Sequence, residues 1–135
     1  MPCFGGPTVV STWTYEEQEA SFKELATPKR GDKRSIIELI ARPAEFHGKL
    51  VTVTGYVVML PERTVIYLSE NDANHYLNAN GIWLQCSGNI SDQQYLELGG
   101  KYACVTGTFN AESFGHGRLH CGAIQNIVSA YEWPL

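Results

Sequence analysis

The spacing of hydrophobic and polar residues changes near residue 49, and the change divides the chain into a helical part and a strand-forming part. Two capping boxes come first, Thr14–Glu17 and Ser35–Glu38, each followed by apolar residues near helical spacing. They predict a helix from Thr14 to Ala26 and a shorter helix from Ile36 to Ala41. The polar residues 27–33 between the two helices predict a linker.

From residue 49 onward apolar side chains alternate with polar ones, which is the pattern of half-buried strands. The pattern predicts five strands, which begin near Lys49, Thr64, Ile82, Lys101 and Leu119, and the last of them ends near Val128. A third capping box, Ser91–Gln94, predicts a short helix to about Leu98 between the third and fourth strands. The inward positions of these strands give the expected core: Val51, Val53, Ile66, Leu68, Ile82, Leu84, Val105 and Ile124.

Two of the predicted strands echo each other. Gly48–Gly55 and Gly100–Gly107 share an opening Gly-Lys and a closing Val-Thr-Gly, so we expect them to fill equivalent structural positions. Five strands with one helix between the third and the fourth resemble the OB-fold, a partly open Greek-key barrel. The resemblance implies a mainly β fold: an OB-like barrel domain over residues 35–135, preceded by an N-terminal arm, helix and linker over residues 1–34. An SH3-like barrel and a mixed sheet are the alternatives.

Composition and charge limit the classes of function. The 135 residues suit one domain, and no apolar run is long enough for a membrane span. Without a visible secretory signal, we expect a cytoplasmic protein. Residues 1–34 carry five acidic and five basic residues, whereas residues 35–135 carry nine acidic and five basic ones, which accounts for the net charge of −4. Such a domain repels phosphate backbones and attracts a basic protein partner.

The OB resemblance also implies where a partner binds, because OB domains bind on the face of strands two and three and on two flanking loops. On that face we expect Tyr67, Trp83 and Gln85. The flanking loops are Leu60–Arg63 and Ala111–Arg118, and the second contains Phe114, His116 and Arg118. Acidic residues around it would steer a basic partner: Glu62, Glu70, Asp72 and Glu112. Alternatively, the two aromatic rings stack unpaired bases, or the N-terminal arm covers them.

Metal binding and catalysis have little sequence support. His116, His120 and Cys121 are zinc-ligand types, but adjacent strand residues point to opposite faces and a fourth ligand at diagnostic spacing is missing. Catalytic motifs such as G-x-S-x-G are absent from the sequence, and the four cysteines predict free thiols. We therefore expect no metal, no cofactor and no enzyme activity. The prediction is a non-catalytic acidic module that holds another protein, with the profile of a bacterial immunity or antitoxin protein that neutralises a basic toxin; the alternative is a single-stranded nucleic-acid-binding domain.

Overall fold

The strands of this protein meet in one mixed sheet, as seen in a computed structural model that describes residues 31–86, 89–115 and 120–134. Within these ranges the strands are β1 (Asp32–Lys33), β2 (Leu50–Leu60), β3 (Arg63–Tyr67), β4 (Gly81–Leu84), β5 (Lys101–Asn110) and β6 (Ala123–Glu132). The helices are α1 (Ile36–Ala41), α2 (Pro43–Phe46), α3 (Glu70–Asn74) and α4 (Asp92–Leu98), and a 3₁₀ turn spans Asn78–Asn80.

Five of the six strands in the described ranges form a closed ring. The long strand β2 pairs antiparallel with both β3 and β5, so it belongs to two sides of the ring. β3 also pairs antiparallel with β4, and β5 pairs antiparallel with β6. A short parallel pairing between β4 and β6 closes the ring. β1 lies outside the ring and runs parallel to the start of β2. The prediction of a mainly β fold is therefore confirmed.

The two echoed segments are each other's sheet partners. In the antiparallel register Gly55 lies opposite Ala103, and Gly107 lies opposite Val51. A Cβ atom on Gly55 would collide with the carbonyl oxygen of Tyr67, and one on Gly107 would collide with the side chain of Ile124. The repeated closing glycine therefore allows another part of the chain to approach each of these strands closely.

Two helices in the described ranges begin at a capping box, in which a serine side chain bonds to a backbone amide of the first turn. The Ser35 hydroxyl accepts the amide hydrogen bond of Glu38 at 3.1 Å, and α1 has the predicted bounds. The Ser91 hydroxyl accepts that of Gln94 at 3.2 Å, and α4 follows. These short side-chain contacts satisfy amides that the helix cannot pair, so they act independently of the distant chain.

The predicted core is largely confirmed. Seven of its eight residues are at most 1% exposed: Val51, Val53, Ile66, Ile82, Leu84, Val105 and Ile124. Val53 and Val105 lie directly opposite each other on β2 and β5, inside the ring. Leu68 was predicted wrongly: it is 37% exposed, because β3 ends at Tyr67 and the inward alternation ends with it.

Two predicted boundaries are also wrong. Asp32 and Lys33, placed in the linker, form β1, because their backbone pairs with Val51 and Thr52. The last strand spans Ala123–Glu132 rather than residues 119–128, since its pairing with β5 continues to the end of that strand. The predicted helix 14–26 lies outside the described residues. Within the described ranges, no helix has the length and apolar character needed to cross a membrane.

Candidate functional site

The outer face of β3 and β4, predicted as the binding face, is covered by the connection between these two strands. That connection contains α3 and the 3₁₀ turn, and Ala73 of α3 packs in one buried cluster with Val65 and Tyr67. Tyr67 has no exposed surface. The expectation that its ring is available to a partner or a nucleic-acid base is therefore wrong for this structure, because the chain itself occupies that position.

An arginine holds this cover in place. Arg63 Nη2 donates hydrogen bonds to the Tyr67 hydroxyl at 3.1 Å and to the Ala73 carbonyl oxygen at 2.8 Å. The Tyr67 hydroxyl in turn donates to Asn78 Oδ1 at 2.6 Å. The Arg63 guanidinium lies 4.2 Å from the ring centroid of Tyr76, in cation–π geometry. The Arg63 guanidinium is thus engaged by the connection that covers this face.

Asp72 fixes the other end of the same connection. Its carboxylate accepts hydrogen bonds from the Ser69 hydroxyl at 2.7 Å and from Asn80 Nδ2 at 3.1 Å. These bonds, that of Ser69 first, hold the pKa of the Asp72 carboxyl below its ordinary value. Asp72 is only 8% exposed and its carboxylate bonds stabilise the connection, while the steering role predicted for it stays a prediction. Glu70 is exposed, and its backbone N–H donates to the Tyr102 hydroxyl at 3.0 Å.

Trp83, the second predicted contact residue, is half-buried. The ring of His120 lies 5.7 Å from it, and the backbone of Gly115 also approaches it. His120 is held by its own amide, which donates to the Phe114 carbonyl oxygen at 3.0 Å. The connection between β5 and β6 therefore covers much of Trp83, as α3 covers Tyr67.

Two of the remaining predicted residues, Gln85 and Glu112, are joined through Gln125 and Asn110. Gln125 accepts a hydrogen bond from Asn110 Nδ2 at 3.3 Å, and Asn110 Oδ1 accepts one from the Glu112 amide at 2.8 Å. Gln85 is exposed and accepts a hydrogen bond from Gln125, Glu112 is exposed on a turn, and Phe114 is half-buried. Glu62 is exposed in the turn between β2 and β3. His116 and Arg118 lie outside the described residues, so their roles stay predictions.

Burial shifts the pKa of two thiols and of one imidazole among the described residues. Burial lowers the pKa of His120 and raises the pKa of both Cys86 and Cys121, so these thiols stay protonated near neutral pH. Among the described residues, no three His, Cys, Asp or Glu side chains come together as a metal site. Because His116 is outside those residues, the expected absence of a metal remains a prediction.

A surface that the sequence predicted only in part, through the flanking loop Leu60–Arg63, lies where this loop meets α4. We name it the Leu60–Leu96 surface and define it by Met59, Leu60, Pro61 and Leu96. Leu60 is 52% exposed and Leu96 is 62% exposed. Two clefts, of about 360 and 340 Å³, are both lined by Met59, Leu60 and Leu96. The three side chains therefore form one continuous apolar surface rather than scattered exposed residues.

The sequence of α4 has one feature that indicates its part of this surface. Tyr95 and Leu98 of α4 are buried, and Leu96 lies on a different face of the helix from both of them. A large apolar residue off the buried face of a short helix indicates exposure. The sequence does not indicate that Leu96 meets Leu60, because the two lie on elements far apart along the chain.

No protein-family model matches this chain, and no curated protein was found to be similar to it. The function is therefore inferred from geometry and charge.

Proposed function

We propose that this protein is a non-catalytic protein-binding module built on an OB-like Greek-key barrel. The barrel interpretation is supported by the ring of five strands and by α4, which lies between the third and fourth strands of that ring. An OB barrel is a scaffold for many kinds of binding, so the architecture by itself does not select a ligand. The choice of a protein ligand rests on the surface.

The observation that carries the proposal is the exposure of the Leu60–Leu96 surface. Large contiguous apolar areas on a folded domain mark interaction sites, whereas single exposed apolar residues do not. Here two clefts share their apolar lining, while the aromatic face beside them is filled by the chain's own connections. A net charge of −4 further favours a basic protein partner. An immunity or antitoxin protein that blocks a basic toxin, acting in the cytoplasm, fits this profile.

The proposal is tested by a capture experiment with matched variants. Wild-type protein, Leu96→Gln and Ile37→Gln are immobilised and exposed to an extract of the source organism. Ile37 is 58% exposed on α1 and lines neither cleft, so it controls for the loss of an exposed aliphatic side chain. Proteins retained by wild type and by Ile37→Gln, but lost with Leu96→Gln, are purified and measured as binary complexes by calorimetry.

We expect one such protein to bind with at least tenfold lower affinity to Leu96→Gln, as is typical of a central interface residue (about 1.4 kcal/mol). A purified partner that binds all three proteins equally would contradict the assignment of this surface. Failure to find any protein that distinguishes Leu96→Gln from wild type would contradict the proposed function itself.

The alternative, single-stranded nucleic-acid binding, is favoured by one observation. Tyr102 and Trp133 are 40% and 44% exposed, and their backbones are joined by a 2.8 Å hydrogen bond. Exposed aromatic rings can stack on bases, but the negative charge opposes phosphate binding. Fluorescence anisotropy with labelled oligo-dT and oligo-rU at low salt tests it. Binding that Tyr102→Ala and Trp133→Ala both weaken would support the alternative over the protein-binding proposal.

A further inference from the structure

We propose that the occupant of the Leu60–Leu96 surface is a segment of a partner protein that presents a large apolar side chain flanked by lysine or arginine. This inference rests on the proposed function and specifies the chemistry of its ligand. It combines three features: an apolar ridge between two clefts, a negatively charged rim, and a rigid attachment of α4 to β2.

The ridge sets the apolar part of the ligand. Met59, Leu60 and Leu96 line both clefts, so a side chain entering either cleft contacts the same three residues. The second cleft adds Pro61 and the buried Tyr95. A large aliphatic or aromatic side chain would remove this apolar area from water, which is the main favourable term in association.

The rim sets the charge of the ligand. Asp92 lines the second cleft, Glu97 follows Leu96 directly in α4, and Glu62 follows Pro61 in the turn. Cys86 lines the same cleft as Asp92, and burial, followed by the Asp92 carboxylate, raises the pKa of its thiol. The rim therefore favours cationic side chains beside the apolar one.

No lysine or arginine among the described residues lines the second cleft, where Asp92 lies. Arg63 lines the first cleft, and its guanidinium donates to Tyr67 and Ala73, so the acidic charge is concentrated at the second cleft. Lys101, which begins β5, forms an ion pair with Glu132 at 3.6 Å. A second copy of this chain would bring an identical acidic rim against the first, so charge favours a different, basic partner.

The surface is also held in place before binding. The amide of Gly100, just after α4, donates to the Val57 carbonyl oxygen at 2.8 Å. A Cβ atom added to Gly99 would lie 3.1 Å from the Cβ atom of Met59, so the end of the helix packs closely on β2. A preformed surface loses little conformational entropy on binding, which makes it suited to a short peptide segment.

The test is a selection from a phage library of random peptides of about 12 residues, a length that spans such a surface. Full-length wild-type protein is the bait, and phage that bind Leu96→Gln are removed in each round. We expect enriched peptides to carry one large apolar residue with Lys or Arg within about three positions. The best peptide is synthesised and its affinity is measured by anisotropy.

For that peptide we expect Leu60→Gln and Leu96→Gln each to weaken binding about tenfold or more, and Ile37→Gln to change it less than about twofold. Asp92→Asn and Glu97→Gln should each weaken it about two- to fivefold and flatten its dependence on salt between about 50 and 300 mM. Replacing the basic residues of the peptide by Glu should abolish binding.

Each other outcome overturns the inference in a distinguishable way. Peptides that need Leu96 but have neutral or acidic flanks would overturn the charge assignment and leave the proposed function standing. Tighter peptide binding after Trp13→Ser and Phe22→Ser would identify the N-terminal arm as the occupant instead. A protein that dimerises in sedimentation unless Leu96 is replaced would identify a second copy. If no peptide and no protein distinguishes Leu96→Gln from wild type, the proposed function fails as well.

Discussion

The face around Tyr67 and the Leu60–Leu96 surface both adjoin the hairpin of β2 and β3, yet one is covered and the other is exposed. Tyr67 is completely buried, whereas Leu60 and Leu96 are each more than half exposed. The two regions adjoin, since the first cleft is lined by Ala73 of the cover as well as by Leu96. Apolar content therefore does not separate a binding surface from a packing surface in this protein.

The two regions differ in their polar side chains. In the covered region these side chains form hydrogen bonds that hold another segment of the chain over the apolar residues. Over Tyr67, buried or half-buried polar side chains hold α3 and the 3₁₀ turn through Arg63, Asn78 and Asp72. Around Leu96 the polar neighbours, Asp92 and Glu97, are exposed and carry charge outward. The first arrangement stabilises the fold, and the second leaves charge available to a partner.

The largest expected effect is at the centre of the covered region. Tyr67→Ala removes a buried aromatic ring and two hydrogen bonds, and should lower the free energy of unfolding by about 3–5 kcal/mol in urea denaturation. Tyr67→Phe keeps the ring and should cost about 1–2 kcal/mol. Leu96→Ala, in the exposed region, should change stability by less than about 0.5 kcal/mol. Equal losses for Tyr67→Ala and Leu96→Ala would remove the distinction between the two regions.

The second prediction concerns the interior of the ring, where the loss of unfolding free energy can be compared with the losses in the two regions. Val53→Ala and Val105→Ala should each cost about 1–3 kcal/mol in the same urea experiment, through lost burial and a residual cavity. Because the two valines face each other, we expect the double variant to deviate from additivity. Unchanged melting temperatures for both variants would show that the inward face is assigned wrongly.

The third prediction concerns the arginine that holds the cover. Arg63→Met should cost about 1–2 kcal/mol and should speed amide exchange in residues 70–80, because the Ala73 carbonyl and the Tyr67 hydroxyl each lose a charged donor. Arg42→Met is the matched control. Arg42 forms exposed ion pairs with Glu38 and Glu45, and such pairs contribute little. Faster exchange in both variants alike would contradict a specific anchoring role for Arg63.

The smallest effect is a pH dependence of the covered region. The folded protein holds the pKa of Asp72 below its ordinary value, so its contribution to stability is present at neutral pH. That contribution is lost as pH falls below about 4 and through the lower folded pKa. Urea denaturation between pH 7 and pH 2.5 should show a smaller pH dependence for Asp72→Asn than for wild type, with Asn80→Ala intermediate. If Asp72→Asn and wild type had the same pH dependence of the unfolding free energy, the stabilising role of the Asp72 carboxylate would be contradicted.

Elements governed by neighbouring residues were predictable from the sequence. Capping boxes satisfy helix amides within four residues, so the starts of α1 and α4 follow from Ser35 and Ser91 alone. Alternation along β2 and β5 likewise identified the inward valines, because successive strand residues point to opposite faces. The last strand was placed too early, since its extent depends on pairing with β5 and not on its own alternation.

The nature of the two surfaces was decided only by the tertiary structure. Alternation along β3 predicts that Tyr67 lies on its outer side, but it cannot show that α3 folds back over that side chain. The covering connection is held by hydrogen bonds from Arg63 to Ala73 and from Tyr67 to Asn78, which join residues ten or more positions apart. Leu60 is the last residue of β2 and Leu96 belongs to α4, and Gly99 at the end of this helix packs against Met59 of β2. The pattern of apolar residues is sufficient to identify most of the strands and helices, although not β1. Tertiary packing determines which apolar residues remain in contact with water, because exposure depends on what the rest of the chain covers.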